Sequence, residues 1–450
     1  MKRRSTQTMD VSKPAKAKIH QLLQIHPPVS PGVSPATVLL PRTVIGRSNE
    51  DGANLVLADP LVSRVHAELR FEGGSWVVTD LDSKNGIFVD GVRAAHAAMR
   101  DGSVLRLGKT LLVLREMGLE VPPPLPPGLP FRGNSPALRL VEETCRRIAG
   151  SDGTVLLRGE TGTGKEVFAR YLHACSGRLG RFVAVNCAAV SGGLFESAFF
   201  GHRKGAFTGA ARDFGGYSRA AAGGTLFLDE VAEMPDESQA KLLRFLETGE
   251  IATIGTTDET SIDVRFIAAT NQDLEARLAS GRFRGDLFAR LSRRIIVLPP
   301  LRHRPEDALA IAIDRLPPGH RGLSADAAEA LAVHEWPFNV RELLAAIDVA
   351  IQDAPDNVML PVTAFPEAVR HRIVQRTAPV SPAASPIPGS SDGMDSTVVA
   401  PDVPGAEPIP TREQFEGIFR DCDGNVSEIA RRLGRDRRQV YRWMERFGLR

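Results

Sequence analysis

The chain has 450 residues, 42% of them apolar, and its formal charge is only +2 at pH 7. This length suits about three globular domains, and the near-neutral charge excludes a protein whose whole surface attracts nucleic acid. The four cysteines show neither a CxxC pair nor metal-ligand spacing, and no apolar run approaches the ~18 residues of a membrane span. These features favour a multidomain protein of the reducing cytoplasm.

The first part of the chain has the pattern of a small β-sandwich. Residues 1–17 are polar, basic and unpatterned, which predicts a disordered arm. Between 18 and 116, short apolar runs with two-residue periodicity are separated by turns rich in Gly, Asp and Asn. A proline-rich stretch follows at 117–130, and its composition predicts a stiff, extended linker.

The middle of the chain alternates apolar strands with helical patterns. Over 131–316 this alternation predicts an α/β domain, a parallel sheet covered by helices. Residues 317–376 show helical patterns only. A stretch rich in Pro, Ser, Gly and Ala then predicts a flexible linker at 377–410, which precedes three short predicted helices at 411–450.

A glycine-rich loop between a strand and a helix is the feature around which the chain is organised. Residues 154–170 read TVLLRGETGTGKEVFAR, an apolar run, a glycine-rich loop and an amphipathic segment. Backbone N–H groups of such a loop turn toward an anion, the helix N-terminus adds positive potential, and the lysine adds a cation. The loop is expected to bind a nucleoside triphosphate through Gly159, Glu160, Thr161, Gly162, Thr163, Gly164, Lys165 and Glu166.

A second apolar strand ends in two carboxylates. Residues 223–230 read GGTLFLDE. This ending suits a magnesium ion held by Asp229 beside a carboxylate, Glu230, that polarises the attacking water. Taken alone, the two carboxylates could simply end a strand in solvent. Together with the glycine-rich loop they predict a nucleotide site.

The last twenty residues are strongly basic. Residues 431–450 contain eight arginines against Asp436 and Glu445, a net charge of +6. A short turn at Gly434 followed by a helix predicts a helix-turn-helix whose last helix enters the major groove of DNA. The alternative is a charged helix that is merely solvated. The residues expected to contact DNA are Arg435, Arg437, Arg438, Tyr441 and Arg442.

A series of motifs in the middle of the chain resembles the AAA+ domain of bacterial sigma-54-dependent transcriptional activators, the enhancer-binding proteins. The resemblance covers about 131–372 and continues into a Fis-type helix-turn-helix at 411–450. It implies a multidomain protein with an α/β phosphate-loop ATPase and an α-helical lid. The motifs are GETGTGKE at 159–166, Val185–Cys187, GAFTGA at 205–210, GGTLFLDE, Ala269–Asn271, FRGDLFARL at 283–291 and 336–343.

The resemblance assigns roles to individual residues. It implies that Lys165 grips the β and γ phosphates, that Asp229 holds magnesium, and that Glu230 polarises water under the control of Asn186. Asn271 would sense the γ phosphate and Arg341 would be the second sensor. Arginines at two further positions would reach the nucleotide of a neighbouring subunit in a ring, a hexamer in this family. They are Arg284 and Arg290, although both could also be surface arginines paired with Asp286 or Glu275.

The resemblance also implies a contact with sigma-54. In the family, the GAFTGA loop makes this contact. In this chain, the loop consists of Gly205, Ala206, Phe207, Thr208, Gly209 and Ala210. Two positions depart from the family pattern. Phe338 stands where glycine is usual, so we expect backbone strain there if the position needs a positive φ. The second surface loop reads TIGTT at 253–257, where a string like VGG is commoner.

The predicted sandwich has a signature of its own, which resembles a forkhead-associated (FHA) domain. Gly46 and Arg47, the string SRVH at 63–66 and the string SKNG at 83–86 all fall in predicted inter-strand loops. The resemblance implies binding of phosphothreonine peptides, with Gly46 and His66 architectural. The peptide would be held by Arg47, Ser63, Arg64, Lys84 and Asn85. Alternatively, Arg47 and Asn85 only brace turns of an inert spacer.

These features together imply an ATP-driven transcription activator with ATP and Mg²⁺ as cofactors. Its partners would be enhancer DNA, the sigma-54 RNA polymerase holoenzyme, a phosphothreonine-containing protein and further copies of itself. No receiver-type acidic pocket precedes the ATPase motifs, so an aspartyl-phosphate input is not expected. Two alternatives remain open: a phosphopeptide-binding adaptor with a vestigial ATPase, and an ATPase that acts independently of sigma-54.

Overall fold

The structure, a computed structural model, describes residues 18–28, 34–118, 131–189, 192–207, 210–256, 259–352 and 358–377. Five single tail positions are also described, at 415, 419, 422, 429 and 444. The chain divides into two compact units, Met1–Val380 and Ser381–Arg450. The predicted arm at 1–17, nearly all of both predicted linkers, and the predicted DNA-contacting residues lie outside the described residues.

The first part of the described chain is the predicted β-sandwich. One sheet has the strand order β2-β1-β11-β10-β7-β8 and the other β4-β3-β5-β6-β9. Alternate side chains such as Ile45, Leu69, Val78 and Leu105 are fully buried between the sheets, as the two-residue periodicity requires. The strands are β1 (Lys18–His26), β2 (Ala36–Val38), β3 (Arg42–Gly46), β4 (Leu55–Val56), β5 (Ala67–Glu72), β6 (Ser75–Asp80), β7 (Ile87–Val89), β8 (Val92–Ala94), β9 (His96–Met99), β10 (Val104–Leu107) and β11 (Thr110–Gly118).

The next part is the predicted α/β region, a five-stranded parallel sheet with the order β13-β14-β17-β12-β18. Its central strands are buried on both faces, so they read as continuous apolar runs. The strands are β12 (Val155–Arg158), β13 (Phe182–Asn186), β14 (Thr225–Asp229), the hairpin β15 (Glu250–Ala252) and β16 (Glu259–Ser261), β17 (Arg265–Thr270) and β18 (Ile295–Val297). The helices are α1 (Pro136–Ala149), α2 (Lys165–Ala174), α3 (Gly192–Phe200), α4 (Gly216–Ala220), α5 (Asp236–Thr248), α6 (Leu274–Ala279) and α7 (Gly285–Leu291).

A helical region follows, which we call the lid. Its first helices begin at local signals: α8 has proline at its first position, and the Ser324 hydroxyl caps α9 by accepting a hydrogen bond from Ala327 N at 3.1 Å. The lid core also contains three side chains of the sandwich, Val104, Leu111 and Val113. The helices are α8 (Pro305–Arg315), α9 (Ala325–Val333), α10 (Asn339–Gln352) and α11 (Glu367–Thr377).

In the tail, four of the five described positions are helical. Phe415, Ile429 and Met444 are buried. Among the residues that the structure describes, no helix is long and apolar enough to span a membrane.

Candidate functional site

The glycine-rich loop lies at the carboxyl edge of the parallel sheet, between β12 and α2. Gly162 and Gly164 take positive φ values of +79° and +99°, which an L side chain rarely adopts. Lys165 begins α2 and is buried, and its Nζ donates to the backbone oxygens of Gly159 at 3.1 Å and Glu160 at 3.3 Å. The loop thus has the backbone shape and the lysine position that phosphate binding needs.

Two other strand ends bring their polar side chains to the same edge. Glu230 follows β14 with φ +50°, and its Oε1 lies 3.8 Å from Lys165 Nζ. Asn271 follows β17, and its backbone N donates to Glu230 Oε2 at 3.2 Å. The Asn271 amide in turn donates to Thr161 Oγ1 at 2.8 Å. The loop, the carboxylate and the predicted sensor therefore form one hydrogen-bonded group.

Burial perturbs the two groups that would face a metal–phosphate complex. Burial lowers the pKa of Lys165, against the opposing effect of Glu230 and Asp229. Burial raises the pKa of Asp229, against the opposing effect of Lys165. Asp229 is half-buried, and a bound cation would offset the free-energy cost of removing part of its carboxylate from water. The site therefore fits a hard divalent cation held by Asp229.

Asn186 is the one predicted group of this edge that stays apart. It ends β13 in register with Asp229, which is the neighbouring position expected for a switch residue. Its Oδ1, however, accepts a hydrogen bond from Ala188 N at 2.9 Å, and no contact with Glu230 joins the two among the described residues.

The lid contacts the glycine-rich loop directly. Val340 N donates to Gly162 O at 3.0 Å, and the Asn339 amide donates to Thr161 O at 3.0 Å. Arg341 lies in the first turn of α10, directly after Val340, and its Cβ would be 3.2 Å from a Cβ built on Gly162. The proposed second sensor is thus beside the loop, and its charge contributes to the lowered pKa of Lys165.

The expected strain at Phe338 does not arise. The positive φ values of this segment belong to Trp336 at +48° and Asn339 at +51°, and not to Phe338. Asparagine tolerates this conformation, and the Asn339 amide bonds stabilise it. Trp336 is held by burial and by its indole N–H, which donates to Leu331 O at 3.0 Å. Phe338 is 59% exposed and needs no special backbone.

Two further arginines hold the loop, and sequence reasoning missed both. Arg302 donates to both carboxylate oxygens of Glu160, at 2.8 and 2.6 Å, and lowers the pKa of that carboxyl. Arg304 is buried, and its Nη2 lies 3.4 Å from Thr163 O. The only sequence signal was the string LRHRPED at 301–307, two arginines immediately before a proline-initiated helix.

The two arginines expected to act on a neighbour are paired within their own chain. Arg284 contacts both oxygens of Asp286, at 3.0 and 2.7 Å, as the surface alternative anticipated. Arg290 contacts Glu247 at 3.0 Å instead of Glu275, which pairs with Arg158. All of these side chains are partly exposed to solvent, and ion pairs between exposed side chains contribute little to stability. A ligand of a neighbouring subunit could therefore replace the acids as the partner of either arginine.

The described part of the GAFTGA segment, residues 205–207 and Ala210, turns back on itself at the surface. Gly205 N donates to Ala210 O at 2.9 Å, and Gly205 takes φ +81°. Phe207 is 37% exposed, and its ring meets the ring of His202 edge-on at 5.0 Å. The second surface loop lies alongside, because Arg203 N donates to Ile254 O at 2.9 Å. Thr208, Gly209 and Thr257 lie outside the described residues.

In the sandwich, the predicted peptide-binding residues lie in three loops, β3–β4, β4–β5 and β6–β7. Arg47 and Arg64 are exposed; the backbone N of Arg47 donates to Ser63 O at 2.9 Å, and its guanidinium lies 3.5 Å from Pro60 O. The Ser63 hydroxyl accepts a hydrogen bond from Lys84 N at 3.1 Å, which joins two of the loops. Asn85 does brace a turn, donating to Leu61 O at 2.6 Å.

Gly46 and His66 shape these loops. A Cβ on Gly46 would lie 1.9 Å from Arg64 O, so only glycine fits there. His66 is fully buried, and its Nδ1 accepts a hydrogen bond from Ser63 N at 3.0 Å. The structure therefore gives Gly46 and His66 an architectural role. The side chains of Arg47 and Arg64, in the same loops, are exposed to solvent.

Comparisons with known proteins agree with this geometry. Three domain descriptions match the chain: "Sigma-54 interaction domain" at 131–297, "FHA domain" at 43–108 and "Homeodomain-like domain" at 419–449. The "Transcriptional regulatory protein ZraR" of Salmonella typhimurium is 38% identical over 342 residues, 74% of this chain and 72% of that protein. The chain belongs to the sigma-54-dependent transcriptional regulators. A "Nif-specific regulatory protein" of Rhizobium leguminosarum bv. trifolii is 38% identical over 341 residues, 72% of this chain and 97% of that protein.

This sigma-54-dependent regulator combines an all-β FHA sandwich, an α/β AAA+ region with a helical lid, and a helix-turn-helix tail. The predicted fold class is confirmed. A crystal structure of NtrX from Brucella abortus in complex with ADP is 27% identical, covering 71% of this chain and 69% of that chain, with a TM-score of 0.49.

Proposed function

We propose that the protein is a cytoplasmic ATPase that activates transcription by remodelling the sigma-54 RNA polymerase holoenzyme into an open complex. The observation that carries this proposal is the hydrogen-bonded group at the sheet edge. There, Lys165, Glu230 and Asn271 converge on the glycine-rich loop. This arrangement, in a member of a sigma-54-dependent family, supplies what ATP hydrolysis needs: a phosphate-binding loop, a carboxylate for water and a γ-phosphate sensor.

Each group has a defined task in hydrolysis. The loop N–H groups and Lys165 bind the triphosphate, and Asp229 would hold Mg²⁺, which would supply positive charge to offset that of the phosphates. Glu230 orients and polarises the attacking water. Its contact with Lys165 must therefore lengthen when the lysine binds the phosphates. Arg341 approaches the phosphates from the lid, while Arg284 and Arg290 act on the nucleotide of the next subunit in a hexameric ring.

The remaining parts connect hydrolysis to transcription. The loop Gly205–Ala210 contacts sigma-54 through Phe207 and Thr208. The tail binds enhancer DNA through its basic last helix. The FHA loops bind a phosphothreonine-containing partner. The two exposed arginines Arg47 and Arg64 fit this role, because a phosphate group offers nearly two negative charges and three acceptor oxygens.

Open-complex formation in a purified system tests this function. On a template with a sigma-54 promoter and an upstream binding site, the full chain should produce permanganate-reactive promoter DNA only with hydrolysable ATP. Lys165→Ala and Glu230→Gln should produce none. ATP hydrolysis without promoter opening would favour an ATPase that acts independently of sigma-54. Phosphopeptide binding without hydrolysis would favour an adaptor with a vestigial ATPase.

Gly162→Ala is expected to weaken ATP binding by about tenfold or more. The left-handed backbone costs an L residue ~1–2 kcal/mol, and a tenfold loss corresponds to ~1.4 kcal/mol. The added Cβ would also lie 2.0 Å from Phe338 O, so the lid must shift away from the loop. Titration with a fluorescent ATP analogue measures the effect. Gly153→Ala is the matched control, because its Cβ would meet only Arg294 at 3.7 Å; equal affinity for both variants would contradict the assignment of the loop.

The FHA loops are expected to bind phosphothreonine peptides and to ignore the same peptides without phosphate. Arg47→Ala should lower the affinity by tenfold or more, since a hydrogen bond to a charged group contributes ~1.5–3 kcal/mol. Calorimetry on the full chain with a phosphothreonine peptide library measures this. Arg42→Ala is the control, because Arg42 is an exposed arginine of β3 that pairs with Glu68. The FHA role is rejected if phosphorylated and plain peptides bind equally.

A further inference from the structure

The FHA sandwich and the AAA+ lid share one hydrophobic core. The hairpin β10–β11 contributes Val104, Leu111 and Val113, which are buried together with apolar side chains of α8, α9 and α10. This apolar interface between hairpin and lid differs from the more polar interfaces that domains joined by a flexible linker usually form. The hairpin is therefore packed as part of the lid.

Ion pairs made by two arginines of the hairpin fix this packing. Arg115 of β11 contacts both carboxylate oxygens of Glu306 at the start of α8, with Nε 2.9 Å from Oε1, and donates to His303 O at 3.2 Å. The side chains of Arg115 and Glu306 are only 5% and 7% exposed. Arg106 of β10 contacts Glu329 and Asp326 of α9, at 2.5 and 2.6 Å. Buried charges need their partners, so neither contact can be lost without rearrangement.

The lid segment that Arg115 contacts is the same segment that holds the phosphate-binding loop. Within 302–307, His303 and Glu306 face Arg115, whereas Arg302 binds Glu160 and Arg304 approaches Thr163 O. Asp307 accepts hydrogen bonds from Asn134 N and Ser135 N at the start of α1. A displacement of this short segment therefore changes the surroundings of the nucleotide.

On its other side, the hairpin is bonded to a peptide-binding loop. Asp59, buried in the β4–β5 loop, accepts hydrogen bonds from Lys109 N at 2.6 Å and Thr110 Oγ1 at 3.1 Å, in the turn between β10 and β11. The same loop carries Ser63 and Arg64. Direct contacts thus connect the FHA loops with the hairpin, the hairpin with 302–307, and 302–307 with the phosphate loop.

We propose that the FHA domain is a working part of the ATP site, with Arg115 as a positioning residue that sets the geometry of 302–307 and so the affinity for nucleotide. The proposal rests on the ATP site assigned above. It makes phosphopeptide binding and nucleotide binding thermodynamically coupled, and such coupling is reciprocal: each ligand changes the affinity of the other by the same factor. A series of contacts does not by itself demonstrate coupling. The ADP affinity of a variant that changes both Arg115 and Glu306 therefore tests the proposal.

The test compares ADP affinity and thermal unfolding for variants of the full chain, with a fluorescent ADP analogue as the probe. Arg115→Gln alone leaves the Glu306 carboxylate buried without its partner and is expected to destabilise the fold. The double variant Arg115→Met with Glu306→Leu replaces both charges with apolar groups of similar size, a change that buried ion pairs often tolerate. It should keep the unfolding midpoint near that of the wild type and bind ADP about five- to tenfold more weakly.

Arg70→Gln is the matched control, because Arg70 pairs with Glu68 on β5, in the other sheet of the sandwich. It should bind ADP as the wild type does. A double variant that stays folded and binds ADP with unchanged affinity overturns the proposal and leaves the ATP site standing. A wild-type protein that binds no ADP rejects the ATP site, and the proposal with it.

Discussion

Replacing Arg284 or Arg290 with alanine is expected to lower ATP turnover by about a thousandfold while nucleotide affinity changes little. Arginines supplied by a neighbour stabilise charge that develops on the phosphates in the transition state, and they contribute on the order of 10³ or more to the rate. Within one chain, both side chains pair with nearby acids, Asp286 and Glu247. Neither has a described contact with its own glycine-rich loop, so their effect on turnover requires a second subunit.

Mixing experiments separate this role from a defect in folding. Arg284→Ala subunits mixed with Lys165→Ala subunits should regain part of the activity, because each mixed interface can combine an intact loop with an intact arginine. Turnover of the wild type should also rise steeply with protein concentration. Arg244→Ala is the matched control, since Arg244 is an exposed arginine of α5 paired with Glu259. Absence of any rescue, with both proteins folded and able to assemble together, would exclude action on a neighbour.

Phe207→Ala and Thr208→Ala are expected to abolish open-complex formation and to preserve ATP hydrolysis. Phe207 is a large apolar side chain in a surface loop, 37% exposed and in edge-on contact with His202, and a partner is the use that such exposure suggests. The loop is closed by backbone hydrogen bonds from Gly205 to Ala210 and from Ala210 to Phe207. Removal of the phenyl ring therefore leaves the loop closure intact.

The measurement pairs ATP turnover with promoter opening on the same preparations. Leu179→Ala is a suitable control, because Leu179 is fully exposed and lies outside the loop; it should keep both activities. If Phe207→Ala or Thr208→Ala opens the promoter as well as the wild type does, the sigma-54 contact lies elsewhere.

Patterns confined to neighbouring residues predicted most of the fold. Two-residue periodicity identified the sandwich, and continuous apolar runs such as Leu226–Leu228 identified buried parallel strands, because each pattern follows from which faces of a strand are covered. The glycine-rich loop was predictable for the same reason, since phosphate binding needs glycines at fixed offsets. The roles of Asn186, Arg284 and Arg290 remain predictions.

Contacts between distant parts of the chain could not be predicted. Arg302 and Glu160 are separated by 142 positions, and Arg115 and Glu306 by 191. Nothing in the local sequence of either arginine marks its partner. Strain at Phe338 was expected only if that position had a positive φ, and this condition is not met. The string WPFNV does not show which residue takes the left-handed backbone. That role falls to Trp336 and Asn339, the latter supported by its own amide bonds to the loop.

The hydrophobic core shared by the hairpin and the lid limits the ways to test whether the FHA domain activates or represses the ATPase. Deleting an input domain is a standard way to ask whether it activates or represses. Here, a truncation after Gly118 would uncover the apolar lid side chains that pack on Val104, Leu111 and Val113, and it would remove Arg115 from Glu306 and Arg106 from Glu329. Such a fragment would report damage to the ATPase instead of release from control. Point substitutions at the peptide loops keep the core intact and are the valid comparison.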